Sequence, residues 1–223
     1  MIASVVVAAV EPIVQPQPQS AAPTTDARDA EYLKKLDARV TPIVASLGVD
    51  QDRVARLHPL IVAQYRAVNA WHDTHDVRLK ELVKVANSTD GEKSAAAKRE
   101  IEETKASLKS LHDRFLAALS IDLRPDQIEK VKDGMTVGKV QFTYGGYLQQ
   151  NPNLTEEQKA KVLGLLKDAR EEAIDAGSMD EKSAIFNQYK GKINNYLVSQ
   201  GVVKGKGHKD KTVKNGEPEM PQK

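Results

Sequence analysis

The chain has 223 residues, 40% of them hydrophobic and 29% charged, enough to bury a core in one domain or in two small helical units. A formal net charge of +2 supplies no strong field for nucleic acid or an anionic membrane. With no cysteine, disulfides, thiolate nucleophiles, iron–sulfur clusters and cysteine-ligated zinc are excluded.

Residues 2–10 are an apolar run too short to span a bilayer, and Ser20-Ala21-Ala22 offers small residues at a cleavage position. No Lys or Arg precedes the run, but the pattern otherwise reads as a signal peptide. We therefore expect an exported protein, periplasmic or extracellular, with no stable membrane insertion after processing. Residues 1–25 form this start and a Pro/Gln-rich linker, 26–201 a single helical domain, and 202–223 a basic tail without a core-forming pattern.

The first helix is expected over 26–47, where Leu33, Leu36, Val40, Val44 and Leu47 share a face and Pro42 should kink or split it. A second runs from Asp50 to about 87, with Val54, Leu57, Ile61, Tyr65, Val68, His72, His75, Leu79 and Leu82 in register. The turn at 87–91 leads to a third, ending near Leu119, with Ile101, Leu108, Leu111 and Phe115 inward. Two long helices joined tightly should form an antiparallel hairpin. Pro125 suits the first turn of a short helix.

Over 135–152 the pattern changes. Val140, Phe142 and Tyr144 alternate with Lys139, Gln141 and Thr143 at strand period, and Gly145-Gly146 breaks the run. Thr155-Glu156-Glu157-Gln158 is a capping box, followed by Val162, Leu163, Leu166, Ala169 and Ala173 on one face and a stop at Gly177. Ser178-Met179-Asp180-Glu181 is a second box, opening a helix with Ile185, Phe186, Tyr189, Ile193 and Tyr196 inward, which ends at Gly201. The expected fold is all-α: a long antiparallel hairpin packed with a C-terminal two-helix unit, and an irregular aromatic loop between them.

His72, His75 and Asp76 share a helix face at steps of three and four, and a hairpin turning at 87–91 brings His112 near their level. No His-Glu-x-x-His motif accompanies them, so a polar band between helices is expected, with no metal and no cofactor. Glu171, Glu172 and Asp175 are the carboxylates a glycosidase would need, but their spacing is that of a solvated helix surface. Without a phosphate loop or a Gly-x-Ser-x-Gly elbow, no catalytic residue is assigned and no enzyme is expected.

Aromatics are only 4% of the chain, so the cluster Phe142, Tyr144 and Tyr147 calls for a reason. Phe142 is read as core; for Tyr144 and Tyr147, stacking on a sugar and plugging the segment onto the helices both stay open. Arg170, Asn194 and Asn195 could supply hydrogen bonds to a sugar, and Trp71 is the next aromatic candidate. Asn194-Asn195 is unusual within a helix, and either bonds buried backbone or lines a cleft.

Four stretches carry a resemblance: Met135-Thr136-Val137-Gly138-Lys139-Val140-Gln141-Phe142-Thr143-Tyr144, Leu154-Thr155-Glu156-Glu157-Gln158-Lys159, Ala169-Arg170-Glu171-Glu172-Ala173-Ile174-Asp175-Ala176-Gly177-Ser178, and Ile185-Phe186-Asn187-Gln188-Tyr189-Lys190-Gly191-Lys192-Ile193-Asn194-Asn195-Tyr196-Leu197. Together they resemble an exported bacterial domain-of-unknown-function family catalogued as sugar-binding, over about 26–201. Val137 and Ile174 stand where that family implies Tyr and Met. The resemblance implies a non-enzymatic binding or accessory protein with a carbohydrate ligand, linked to polysaccharide utilisation. Leu154-Thr155-Glu156-Glu157-Gln158 is also similar to helix starts of periplasmic helical-hairpin stress chaperones, which makes a chaperone or envelope-stress adaptor the alternative.

Overall fold

The computed structural model describes residues 25–203, so the signal-like start and most of the basic tail lie outside the described residues. Seven helices are described: α1 (Thr25–Ala45), α2 (Gln51–Ala86), α3 (Gly91–Asp122), α4 (Pro125–Met135), α5 (Lys139–Gln150), α6 (Glu156–Ala173) and α7 (Met179–Ser199), with no strand among the described residues. The chain divides into two units, Met1–Lys35 and Leu36–Lys223, and helices α2 to α7 belong to the second. None of the seven helices is long and apolar enough to cross a membrane.

Each start has a local cause. Asp50 accepts from the Arg53 amide at 2.9 Å and Asp90 from the Lys93 amide at 3.1 Å, each satisfying an orphan N–H. At α4, Pro125 fills the first turn and the Gln127 side chain accepts from the Arg124 amide while donating to the Leu47 carbonyl. Thr155 and Gln158 close the expected box at α6 from both sides. At α7 only half the expected box forms: Ser178 caps the Glu181 amide, but the Glu181 carboxylate accepts from Gly177 instead of Ser178. Pro42 does not split α1, which runs only three residues beyond it.

Contacts between α2 and α3 descend in antiparallel order. Arg56 pairs with Asp122, Trp71 donates to Ser107, Arg78 makes a bidentate pair with Glu100, and Ser94 donates to the Ala86 carbonyl next to the turn. Leu82, Ala97 and Ile101 close the turn end with Leu79 and Ala86 against them.

The irregular aromatic loop is corrected. Residues 139–150 form helix α5, and the C-terminal unit therefore has three helices, not two. Val140, Tyr144, Tyr147 and Leu148 recur at steps of four, three and one, and this helical stripe packs against α6 and α7. The brief period-two alternation is a coincidence within that stripe. Gly145-Gly146 lowers helix propensity, but burial of the stripe overrides it. Phe142, expected in the core, falls off the stripe and is 85% exposed. Val162, Leu166, Ala169, Phe186, Ile193 and Leu197 complete this core. Truncating a fully buried leucine such as Leu166 to alanine should cost about 2–5 kcal/mol.

Candidate functional site

Two places concentrate chemistry. The first is a groove of about 490 Å³ between α5 and α7, lined by Phe142, Thr143, Gly146, Tyr147, Gln149, Gln150, Lys190 and Asn194. Helix α5 presents Phe142, Gly146 and Gln149/Gln150 at helical spacing, and the missing side chain of Gly146 leaves room beside Tyr147. The Tyr147 hydroxyl lies 2.9 Å from Asn194 Oδ1 and 3.3 Å from the Lys190 carbonyl oxygen, so it anchors α5 to α7 at the groove's edge. Burial pushes the Tyr147 phenol pKa up, keeping it a neutral donor. The lining is thus an exposed aromatic ring, three side-chain amides, two hydroxyls and one ammonium.

Of the residues expected to bind a sugar, the structure brings Tyr147 and Asn194 together in this groove, with Phe142 beside them. Tyr144 packs against the α6–α7 core and is not part of the lining, and Asn195 is exposed outside it. Asn194 lines the groove and accepts from the Tyr147 hydroxyl, a side-chain bond at the surface and not the bond to buried backbone that its helical position suggested.

Arg170 and Trp71 are placed elsewhere. Arg170 is 2% exposed, with Nη1 donating to Asp133 at 2.7 Å and Nη2 to Glu129 at 2.6 Å and Glu171 at 2.9 Å. Its charge, expected to be available to a sugar, is consumed in fastening α6 to α4. Trp71 is buried, donates to Ser107 and stacks on His75 at 4.6 Å, and so presents no face to a ligand.

The second place is the junction where α2 and α3 meet the α6–α7 turn. His112 Nδ1 donates to Asp175 Oδ2 at 2.7 Å, and His72 Nε2 donates to the Asp175 carbonyl at 2.8 Å. On its other side His72 Nδ1 lies 2.8 Å from Asp76 Oδ1. The bond to Asp175 raises the His112 pKa, against the opposing effect of burial. For His72, burial pulls the pKa down, but the Asp175 carbonyl and the Asp76 carboxylate outweigh it and the net shift is upward. His75, expected to join His72 and Asp76, turns back to the Trp71 carbonyl. Glu181, on the first turn of α7, takes its place.

Glu171 and Asp175 are not the solvated pair their spacing suggested. Lys132 Nζ reaches Glu171 Oε1 at 2.9 Å, and the Asp175 side chain is 13% exposed. Burial would raise the Glu129 pKa, but hydrogen bonds from Lys132 and Arg170 hold it down at about 2. Lys182 is buried with Nζ donating to the Ala173 carbonyl at 2.7 Å, and desolvation lowers its pKa to about 8. Glu181 and Lys182 have no distinguishing signal in the sequence beyond following a serine cap; the turn's geometry alone recruits them.

Comparison with curated proteins finds no match. A family model described as "Protein of unknown function (DUF3826)" matches residues 33–215, a span that includes α2 to α7 and both of these places. The chain belongs to the DUF3826 family.

Proposed function

We propose that this is an exported, non-enzymatic carbohydrate-binding or accessory protein, serving polysaccharide utilisation, whose ligand occupies the α5–α7 groove. The observation that carries the reading is Phe142. A phenylalanine 85% exposed on a helix that packs its other aromatics inward, beside Tyr147, Asn194, Gln149 and Gln150, matches the needs of a sugar. The C–H face of a pyranose stacks on an aromatic ring, and its hydroxyls pair with amides and a phenol. No carboxylate lines the groove among the described residues, so nothing there supplies the acid–base pair of a glycosidase. Export rests on the apolar start and Ser20-Ala21-Ala22.

Affinity for a short glycan should be on the order of micromolar to millimolar, as a half-open groove gives few contacts. The test is calorimetric titration of the protein with a panel of plant and cell-wall oligosaccharides. Saturable binding that Phe142→Ala abolishes supports the reading. Failure of every glycan, together with suppression of aggregation of an unfolded client, would favour the chaperone alternative. That activity would draw on the apolar groove of about 630 Å³ lined by Ala38, Pro42, Ile43, Val137 and Met179.

A further inference from the structure

We propose that His72, Asp76 and Glu181 form a binding site for one divalent transition-metal ion, with zinc the best match, at the contact between α2 and the first turn of α7. This departs from the expectation, drawn from sequence, that no metal is bound. The spacing along α2 offers only His75 as a third ligand, and Glu181 joins the group through the fold alone.

Three observations carry it. One ligand atom from each of His72, Asp76 and Glu181 lies within 4.8 Å of the others. His72 and Asp76 stand at i,i+4 on α2 with Nδ1 and Oδ1 already 2.8 Å apart, while α7 contributes the third donor. Donors at about 2.0–2.2 Å from a tetrahedral zinc lie roughly 3.3 Å from one another, so loading an ion requires His72 Nδ1 and Asp76 Oδ1 to part slightly from 2.8 Å and the Glu181 carboxylate to turn toward them.

The second observation is the ring's orientation. His72 Nε2 donates to the Asp175 carbonyl, and Nδ1 is the atom turned toward the two carboxylates, where a metal ion would take the place of the hydrogen that Nδ1 shares with Asp76. A metal-binding histidine commonly gives its other N–H to a backbone carbonyl in this way, fixing ring orientation. This bond lies outside the triad, and it comes from a turn 103 residues away in sequence.

Third, the backbone holds the pieces in place. The Gly177 amide donates to Glu181 Oε2 at 2.8 Å, which aims that carboxylate along the turn. Gly177 itself lies so close to His72 that a Cβ there would meet the ring at 2.7 Å. The imidazole is thus fixed by the Asp175 carbonyl and by Gly177, and its Nδ1 edge is left toward Asp76 and Glu181. One nitrogen and two carboxylate oxygens suit zinc or manganese; a calcium site would favour oxygen alone. Three protein ligands leave a coordination position for water or a ligand group.

The test uses the full chain, stripped with a chelator and dialysed against zinc chloride, with metal counted by mass spectrometry and affinity read by calorimetry. One zinc per chain is expected. Asp76→Asn and Glu181→Gln should each weaken binding by at least tenfold, and His58→Ala, on the far part of α2, should leave it unchanged. X-ray absorption of the zinc-loaded wild type should show one nitrogen of imidazole and two carboxylate oxygens at zinc–ligand distances of about 2.0–2.2 Å. Absence of stoichiometric zinc, affinity unaltered in the Asp76→Asn/Glu181→Gln double variant, or an absorption spectrum with two or more imidazoles would each overturn the assignment. The absorption measurement stands even where a substitution disturbs folding.

Discussion

His112 and Asp175 are 63 residues apart in sequence, and the 2.7 Å bond between Nδ1 and Oδ2 joins α3 to the turn between α6 and α7. His72 reaches the same residue through its backbone carbonyl, so both long helices of the hairpin hold one turn of the C-terminal unit. The facing charges are Asp76 on α2, Asp113 on α3, Glu171 on α6 and Glu181 on α7. The histidine pKa values are raised above 6.5 in the folded state, so their stabilisation is complete below 6.5 and fades as pH rises through the folded values. Glu129 behaves oppositely: lowered from 4.5 to about 2, its stabilisation is present above 4.5 and lost as pH falls toward 2. Lys182, whose charged form burial disfavours, gives stability back only above about 8. Stability should therefore be highest between pH 4.5 and 6.5 and decline from there toward 8. Urea midpoints from acid to mildly alkaline pH measure this, and His112→Gln should flatten the decline above 6.5. A midpoint that rises steadily to pH 8 would contradict it.

Gly177 is a position where side-chain volume is forbidden. Alanine there would put Cβ at 2.7 Å from His72 Cγ and 2.9 Å from Cδ2. The ring cannot retreat without giving up its bonds to Asp76 and the Asp175 carbonyl. Gly177→Ala should destabilise by about 1–3 kcal/mol, the usual cost of overpacking. In the His72→Ala background the same substitution should cost much less, and this coupling, read from a double-mutant cycle of denaturation curves, separates the steric clash from a general effect on the turn.

Val137 has φ of 56°, a left-handed conformation that a β-branched side chain disfavours. It is 64% exposed, in the short turn between α4 and α5, so packing does not explain its presence. Val137→Asn, which tolerates this conformation, should raise stability by about 1 kcal/mol. Thermal or urea denaturation measures it, and a loss of stability would mean that the side chain makes a contact worth more than the strain.

Much of the fold is legible in the sequence because it rests on local rules. Asp50, Asp90, Thr155 and Ser178 each cap a helix where their residue types say they should, and of the α6 stripe picked out by spacing Val162, Leu166, Ala169 and Ala173 are buried and Leu163 half-buried. Helix α5 is not legible: with Val140, Phe142 and Tyr144 two residues apart and two glycines following, local preference points away from helix. Only the core offered by Val162, Phe186 and Ile193 decides it, and that is tertiary information. The groove is half legible. Tyr147 and Asn194 can be singled out by type, while Phe142 lies on the opposite side from the core position its type suggests. Arg170 escapes a sequence reading for a related reason. A charged residue on a helix looks solvated until Glu129 and Asp133 arrive from another helix to bury it.

The groove makes the sharpest functional prediction, because its residues divide into those that hold the helices and those that face outward. Phe142 contributes almost nothing to the core, so Phe142→Ala should leave the melting temperature within experimental error. If the ring stacks on a sugar, the same change should weaken binding of a recognised oligosaccharide at least tenfold, or about 1.4 kcal/mol. Tyr147→Phe removes the hydroxyl that anchors Asn194 while keeping the apolar contact with the α6–α7 core. It should lower stability by about 1 kcal/mol and weaken binding less than Phe142→Ala does. Tyr144→Ala should do the reverse of Phe142→Ala: a clear loss of stability from the buried stripe, with affinity for the ligand retained in the fraction that folds. Calorimetry paired with thermal denaturation on these three variants reads both quantities. If Tyr144→Ala loses binding while Phe142→Ala keeps it, the ligand does not occupy the α5–α7 groove.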